Sequence, residues 1–248
     1  MEGVLGALSS CAGLSDVTEV DHELVIARCE EPLELTIVDV GRALGRPRAS
    51  VLVKPGSGRP AESPVHRVTP EPDGRPVTDG YGTTILSTTF DEIPPHTDAV
   101  NSATPPDLVL LACATNDAGA TTDFFSPAAL ADLLSESGVD PFAIVLPGRA
   151  GPSPLFARGA GSPMIRLNLH ELRADTDRRA ATGSGAAELR ELLRTLSDHV
   201  ARLAPVHRFT LSSGDLLVWR NGAWLHGRSA VRPTSTKRLL FRLWVDET

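Results

Sequence analysis

Three residues of this chain could together hold a transition metal: His96, Asp98 and His226. Two imidazoles and one carboxylate on a single face of an ion leave three coordination positions open. That donor set suits Fe(II), with room for a chelating small molecule and dioxygen. In extended chain, residues two apart point to the same side. The run Ile93-Pro94-Pro95-His96-Thr97-Asp98 would therefore present both side chains together. The pair alone carries little weight. With seven histidines and 31 acidic residues among 248, chance supplies about one His-x-acid pair. The third donor must come from far along the chain, and His226 is the candidate. The same three side chains could instead hold Zn(II) for hydrolysis. Arg238 and Arg242 form a second feature. They are four apart, so they share a face of the last strand, and they sit among Leu239, Leu240, Phe241, Leu243 and Trp244. An arginine in such a run needs an anion; a solvated edge strand is the other reading.

These residues need a frame of strands. Residues 107–115 (DLVLLACAT) are a continuous apolar run, which reads as a buried strand. Residues 82–90 (GTTILSTTF) read as a strand leading into the His96 segment. Further strands are expected at 142–146, 163–169, 215–219 and 239–245. Residues 34–45 read as an amphipathic helix ended by Gly45. Ser126-Pro127 opens a short helix running through Leu134, with serine as its cap. The clearest helix covers about 186–204, where Leu189, Leu192, Leu193, Leu196, Val200 and Leu203 make one stripe before Pro205. Residues 54–80, rich in Pro, Gly and charge, read as a lid or flexible loop. The reading is an α+β chain: a double-stranded β-helix (jelly-roll) core flanked by a few helices, in one domain spanning 1–248.

The net charge is -7, which gives no electrostatic reason to hold nucleic acid or an anionic membrane. A small-molecule substrate is expected. The three cysteines show no metal or redox spacing, and reduced thiols in a cytoplasmic protein are expected. No run of about 20 apolar residues and no basic leader is present, so neither a membrane span nor a secretory signal is expected. The nucleotide-loop and serine-hydrolase motifs are absent from the sequence. Oligomeric state is not readable.

Four segments, in this order, resemble the clavaminate synthase and taurine dioxygenase group of 2-oxoglutarate oxygenases. They are Pro95-His96-Thr97-Asp98, PPDLVLLACATNDAGATT (105–122), GDLLVWRNGAWLHGRSAV (214–231) and KRLLFRLWV (237–245). Weaker similarity runs through LGRPRASVLVKPG (44–56) and MIRLNLHELR (164–173). Each motif is loose, and their joint order and spacing carry the resemblance. It implies Fe(II) on His96, Asp98 and His226, with 2-oxoglutarate and O2 as co-substrates. It implies that Arg238 anchors the distal carboxylate of 2-oxoglutarate, that Arg242 helps near the iron end, and that Thr121, with Thr122 as a rival, contributes a hydroxyl. The implied activity is hydroxylation of an unactivated C–H bond, with release of succinate and CO2. Desaturation, epoxidation or ring closure would be variants.

The departures refine this. Halogenating relatives carry a small residue where Asp98 stands, so halogenation is not expected. His226-Gly227-Arg228 looks more like the clavaminate synthase side, whose members act mostly on free amino acids or their derivatives in specialised metabolism. Asn168 and His170 alternate after Arg166, and relatives acting on basic amino acids place acidic residues there. The expectation is a substrate without a strongly basic side chain. Arg228 could bind a substrate carboxylate. Two readings of other classes stay open: a jelly-roll sensor that binds 2-oxoglutarate or a metabolite without turnover, and a zinc hydrolase using the same triad. The 147–162 loop, with 54–80, would shape substrate choice.

Overall fold

A computed structural model describes residues 2–31, 33–48, 64–71, 75–116, 119–158, 163–180, 186–232 and 238–248. Five helices occur among them: α1 (Glu2–Ser10), α2 (Leu33–Leu44), α3 (Pro127–Glu136), α4 (Leu169–Ala180) and α5 (Ala186–Val200). The strands, in chain order, are β1 (Leu14–Asp21), β2 (Leu24–Cys29), β3 (Arg46–Pro47), β4 (His66–Val68), β5 (Ile93–His96), β6 (Leu108–Asn116), β7 (Thr122–Phe125), β8 (Val145–Gly148), β9 (Gly151–Pro154), β10 (Phe156–Arg158), β11 (Pro163–Ile165), β12 (His207–Phe209), β13 (Asp215–Arg220), β14 (Leu225–Arg228) and β15 (Arg238–Asp246).

Two antiparallel sheets make the core. The larger runs β1-β2-β13-β6-β15-β3, with β4 also paired to β15. The smaller runs β12-β7-β14-β5. Strand alternation sorts the side chains into layers. Leu108, Leu110 and Ala112 of β6, with Leu216 and Val218 of β13 and Leu243 and Val245 of β15, pack on α1 and α2 through Val4, Leu8, Ile37 and Val40. The opposite face carries Val109, Leu111, Cys113, Leu217, Trp219 and Leu240, which meet Phe124 of β7 between the sheets. Phe124 stands edge-on to Trp219 at 5.3 Å between ring centroids. Outside the smaller sheet, Phe125 and Leu225 pack against α3, α4 and α5. The order is helices, large sheet, small sheet, helices: the expected jelly-roll core with its flanking helices.

Several local expectations change. Residues 82–90 are not a strand; Leu86–Thr88 form a 3-10 turn, with one isolated bridge from Thr78 to Thr84. Thr88 Oγ1 donates to the Ile85 carbonyl at 2.7 Å and Thr89 Oγ1 to that of Leu86 at 2.9 Å. These local bonds compete with a ladder and win over β propensity. The 142–146 segment starts as a 3-10 turn capped by Asp140, and β8 begins only at Val145. The 163–169 strand stops at Ile165, and α4 begins at Leu169. Asn168 causes the stop: its Oδ1 accepts from the Glu171 backbone N at 3.1 Å, and its Nδ2 donates to Glu171 Oε1 at 3.3 Å. That is a helix cap. Of the expected 54–80 lid, 54–63 and 72–74 lie outside the described residues; the described part includes β4, which pairs with β15 through Arg242–His66.

Candidate metal and co-substrate site

The site lies between the two sheets. His96 ends β5 and His226 lies on the adjacent β14, as direct register partners. Asp98 stands just past the strand end, so alternation alone does not place it. Thr97 is clamped to the α4 approach: its backbone N donates to the Leu167 carbonyl at 2.7 Å, and its hydroxyl accepts from Leu167 N at 3.0 Å. The Asn221 side chain then holds the Asp98 backbone from both sides, accepting from its N at 2.9 Å and donating to its carbonyl at 3.0 Å.

One donor atom from each of His96, Asp98 and His226 falls within 4.8 Å of the others, the only such group found among the described residues. Each histidine Nε2 faces Asp98 Oδ1, His96 at 3.8 Å and His226 at 3.9 Å. Ligand bonds of about 2.1 Å at right angles would put neighbouring donors about 3 Å apart, so a small inward closing would seat an ion. His96 Nδ1 lies 2.9 Å from the Pro94 carbonyl, which fixes the proton there and leaves Nε2 for a metal. Asp98 accepts from Arg242 Nη1 at 2.9 Å and from Trp244 Nε1 at 2.8 Å. Both hold the carboxylate in place.

The electrostatics suit ligation. Burial pushes the His226 imidazole down to about 3 and lowers His96 as well, so both are neutral donors. Burial opposes the charge on Asp98, but Arg242 and the two histidines outweigh it and bring the carboxyl down to about 2. His66 on β4 was not singled out from the sequence. Its Nε2 is buried without a partner among the described residues, and burial beside Arg242 lowers it to about 3. With Arg48, Pro64, Arg242 and Trp244 it lines a small cavity next to Asp98.

These shifts set a pH dependence. The unfolded imidazoles take protons near 6.5, and folded His66 and His226 only near 3, so the unfolded state binds more protons in between. Stability of the metal-free protein is expected to fall as pH drops from 6.5 toward 3, with Asp98 adding the same sign below 3.8. Urea melts at several pH values would read this. His66→Gln is expected to flatten the slope by up to about 1.4 kcal/mol per pH unit; an unchanged slope would contradict it.

At the other end of the site, Arg238 is 4% exposed and Arg228 5%. Nε and Nη1 of both lack partners among the described residues, as does Thr121 Oγ1. Thr122 is also buried and pairs with Arg228 across β7 and β14. Arg228 is thus a buried strand residue. Asn168 caps α4, and His170 Nε2 pairs with the Thr84 carbonyl at 2.9 Å. Neither occupies an alternating strand position, which removes the premise for a non-basic substrate. Trp244 and Asn221 lie inside segments already marked by resemblance, whereas His66 had no signal beyond its lid-like surroundings.

The family model described as "Taurine catabolism dioxygenase TauD, TfdA family" matches residues 35–244. No curated protein matches the chain. Among solved structures, asparagine oxygenase in complex with Fe(II), 2S,3S-3-hydroxyasparagine and succinate is 22% identical, with a TM-score of 0.60 over 88% of this chain and 66% of that one. The non-heme iron oxygenase OrfP in complex with Fe and alpha-ketoglutaric acid is 20% identical, with a TM-score of 0.53 over 88% and 65%. AAD-2 in complex with Mn(II) and N-oxalylglycine is 17% identical, with a TM-score of 0.65 over 91% and 85%. The chain spans just under two thirds of the asparagine oxygenase length. These likenesses show the fold.

Proposed function

Because the chain belongs to the TauD/TfdA dioxygenase family, we propose that it is an Fe(II)- and 2-oxoglutarate-dependent hydroxylase. The substrate class we propose is a free amino acid or an amino-acid-derived metabolite, within specialised metabolism. The observation that carries this reading is the cluster of His96, Asp98 and His226, flanked by Arg228 and Arg238, whose Nε and Nη1 have no acceptor among the described residues. Asparagine oxygenase holds a hydroxylated amino acid and succinate, which supports the substrate class.

Iron held there would couple oxidative decarboxylation of 2-oxoglutarate to oxygen insertion into a C–H bond. One O2 supplies one oxygen to succinate and one to the product alcohol, and CO2 leaves. The chain's own part is placement. His96 and His226 offer neutral nitrogens; Arg242 and Trp244 orient Asp98. Arg238 supplies a desolvated cation for the distal carboxylate, with Thr121 as hydroxyl donor. Phe124 and Trp219 keep water from the metal face.

The test is anaerobic Fe(II) protein given 2-oxoglutarate and then O2, with succinate followed against a panel of free amino acids and derivatives. Stimulation by a panel compound is expected. Tight 2-oxoglutarate binding without succinate would favour a sensor, and activity that follows Zn(II) and ignores 2-oxoglutarate a hydrolase. Among the described residues no helix is long and apolar enough to cross a membrane.

A further inference from the structure

The connection from the large sheet to the small one, between Asn116 and Thr122, brings two arginines to one place. Arg238 pairs with Asn116 across β15 and β6, and Arg228 pairs with Thr122 across β14 and β7. The described residues beside these pairs are held: Asn116 Nδ2 donates to the Ala120 carbonyl at 3.0 Å, and Thr121 N donates to Ser229 Oγ at 2.9 Å. Both guanidinium groups are more than nine-tenths buried. Burial disfavours the Arg228 cation, and the neighbouring charge on Arg238 does so too. The exposed Asp91 carboxylate attracts it only weakly. Arg228 Nη2 is fixed by the Thr89 carbonyl at 2.8 Å and by that of Asp91. Among the described residues its Nε and Nη1 have no acceptor, nor do Nε and Nη1 of Arg238. Two desolvated cations and four idle donors at one spot call for a ligand of matching charge.

We propose that Arg228 and Arg238 form a two-arginine cradle for the distal carboxylate of the 2-oxo acid, making Arg228 a determinant of dicarboxylate selectivity. This rests on the co-substrate reading above and adds a residue to it. Each arginine can turn one idle N–H edge toward the carboxylate, and a 2-oxo acid lacking that carboxylate leaves both cations unpaired, so the discrimination against it is steep. A purely structural Arg228, holding the 89–91 turn ahead of β5, would not discriminate between ligands.

The experiment is calorimetry on anaerobic Fe(II) protein with 2-oxoglutarate and with pyruvate, which keeps the chelating end and lacks the distal one. The ratio of the two dissociation constants is the readout. Arg228→Gln is expected to shrink the wild-type ratio about tenfold or more, with pyruvate binding held, and Arg228→Lys to recover part of it. An unchanged ratio, or equal weakening of both ligands, would overturn the cradle and leave Arg228 structural. If Arg228→Gln does not fold, the Nε–H resonance of Arg228 in the Zn(II)-loaded wild-type protein decides. It is expected to shift with 2-oxoglutarate and stay with pyruvate; no shift overturns the proposal. A wild type that does not prefer 2-oxoglutarate, or an Arg238→Gln variant that keeps the preference, removes the underlying co-substrate reading instead.

Discussion

His226→Ala is expected to fold and to release no succinate. The imidazole supplies one of three metal donors, and Fe(II) affinity should fall on the order of a thousandfold or more without it. The fold loses little by comparison. His226 Nδ1 has no hydrogen-bond partner among the described residues, so none is broken there. The loss is packing against Trp219, 4.9 Å away between ring centroids, and against His96 at 4.2 Å. A cavity of that kind costs about 1–3 kcal/mol. Removing an imidazole that resists protonation offsets part of this below pH 6.5. Succinate release, an Fe(II) titration and a thermal melt together check the expectation. Turnover within about tenfold of wild type would refute His226 as a ligand.

The second large effect comes from a residue without a side chain. Gly227 separates His226 from Arg228 on β14, which lies between β5 and β7. A Cβ there would stand 2.8 Å from the Ile93 carbonyl oxygen and 3.5 Å from the Phe125 ring. The carbonyl belongs to backbone, so β14 and β5 would have to part. Gly227→Ala should cost about 1–3 kcal/mol, or roughly 3–10 °C in Tm. It should also spread His226 from His96 and weaken Fe(II) binding about ten- to a hundredfold. Gly80→Ala is the control, since nothing lies within 4 Å of its added carbon. Equal Tm and equal metal affinity for the two variants would show that the strand spacing is slack.

The readable parts of the sequence were those with one dominant signal. The unbroken apolar run of β6 and the single-period leucine stripe of α5 each pointed one way, and the structure follows them. His96 and Asp98 were legible only together with the other resembling segments, since chance alone supplies about one such pair. What escaped had competing signals. In α4 the buried face carries Asp175 and Thr176 beside Leu169 and Leu172, so no apolar stripe shows. Asp175 is admitted to the interior by ion pairs with Arg178, three residues on in the same helix, and with Arg149, a contact that no local pattern encodes. In β1 the register shifts between Ser15 and Thr18 and again between Glu19 and Asp21, which erases alternation. Thr88 and Thr89 favour strand by propensity but spend their hydroxyls on nearby backbone. His66 sits in chain that reads as loop, and only its pairing with β15 brings it to Arg242. Arg228 lies on a strand whose register turns it inward, toward Arg238, which its sequence neighbours do not signal.

The idle donors of Arg228 and Arg238 bear on how long the protein lasts in a cell. A chain that folds around uncompensated charge leaves part of its stability to be supplied by what it binds. Ligand at a hundred times its dissociation constant adds about 2.7 kcal/mol, enough to cut the unfolded fraction about a hundredfold. Proteases act on that fraction. When iron and 2-oxo acid run short, the empty protein should be cleared faster than the filled one, so that its abundance follows the supply of the small molecules it uses.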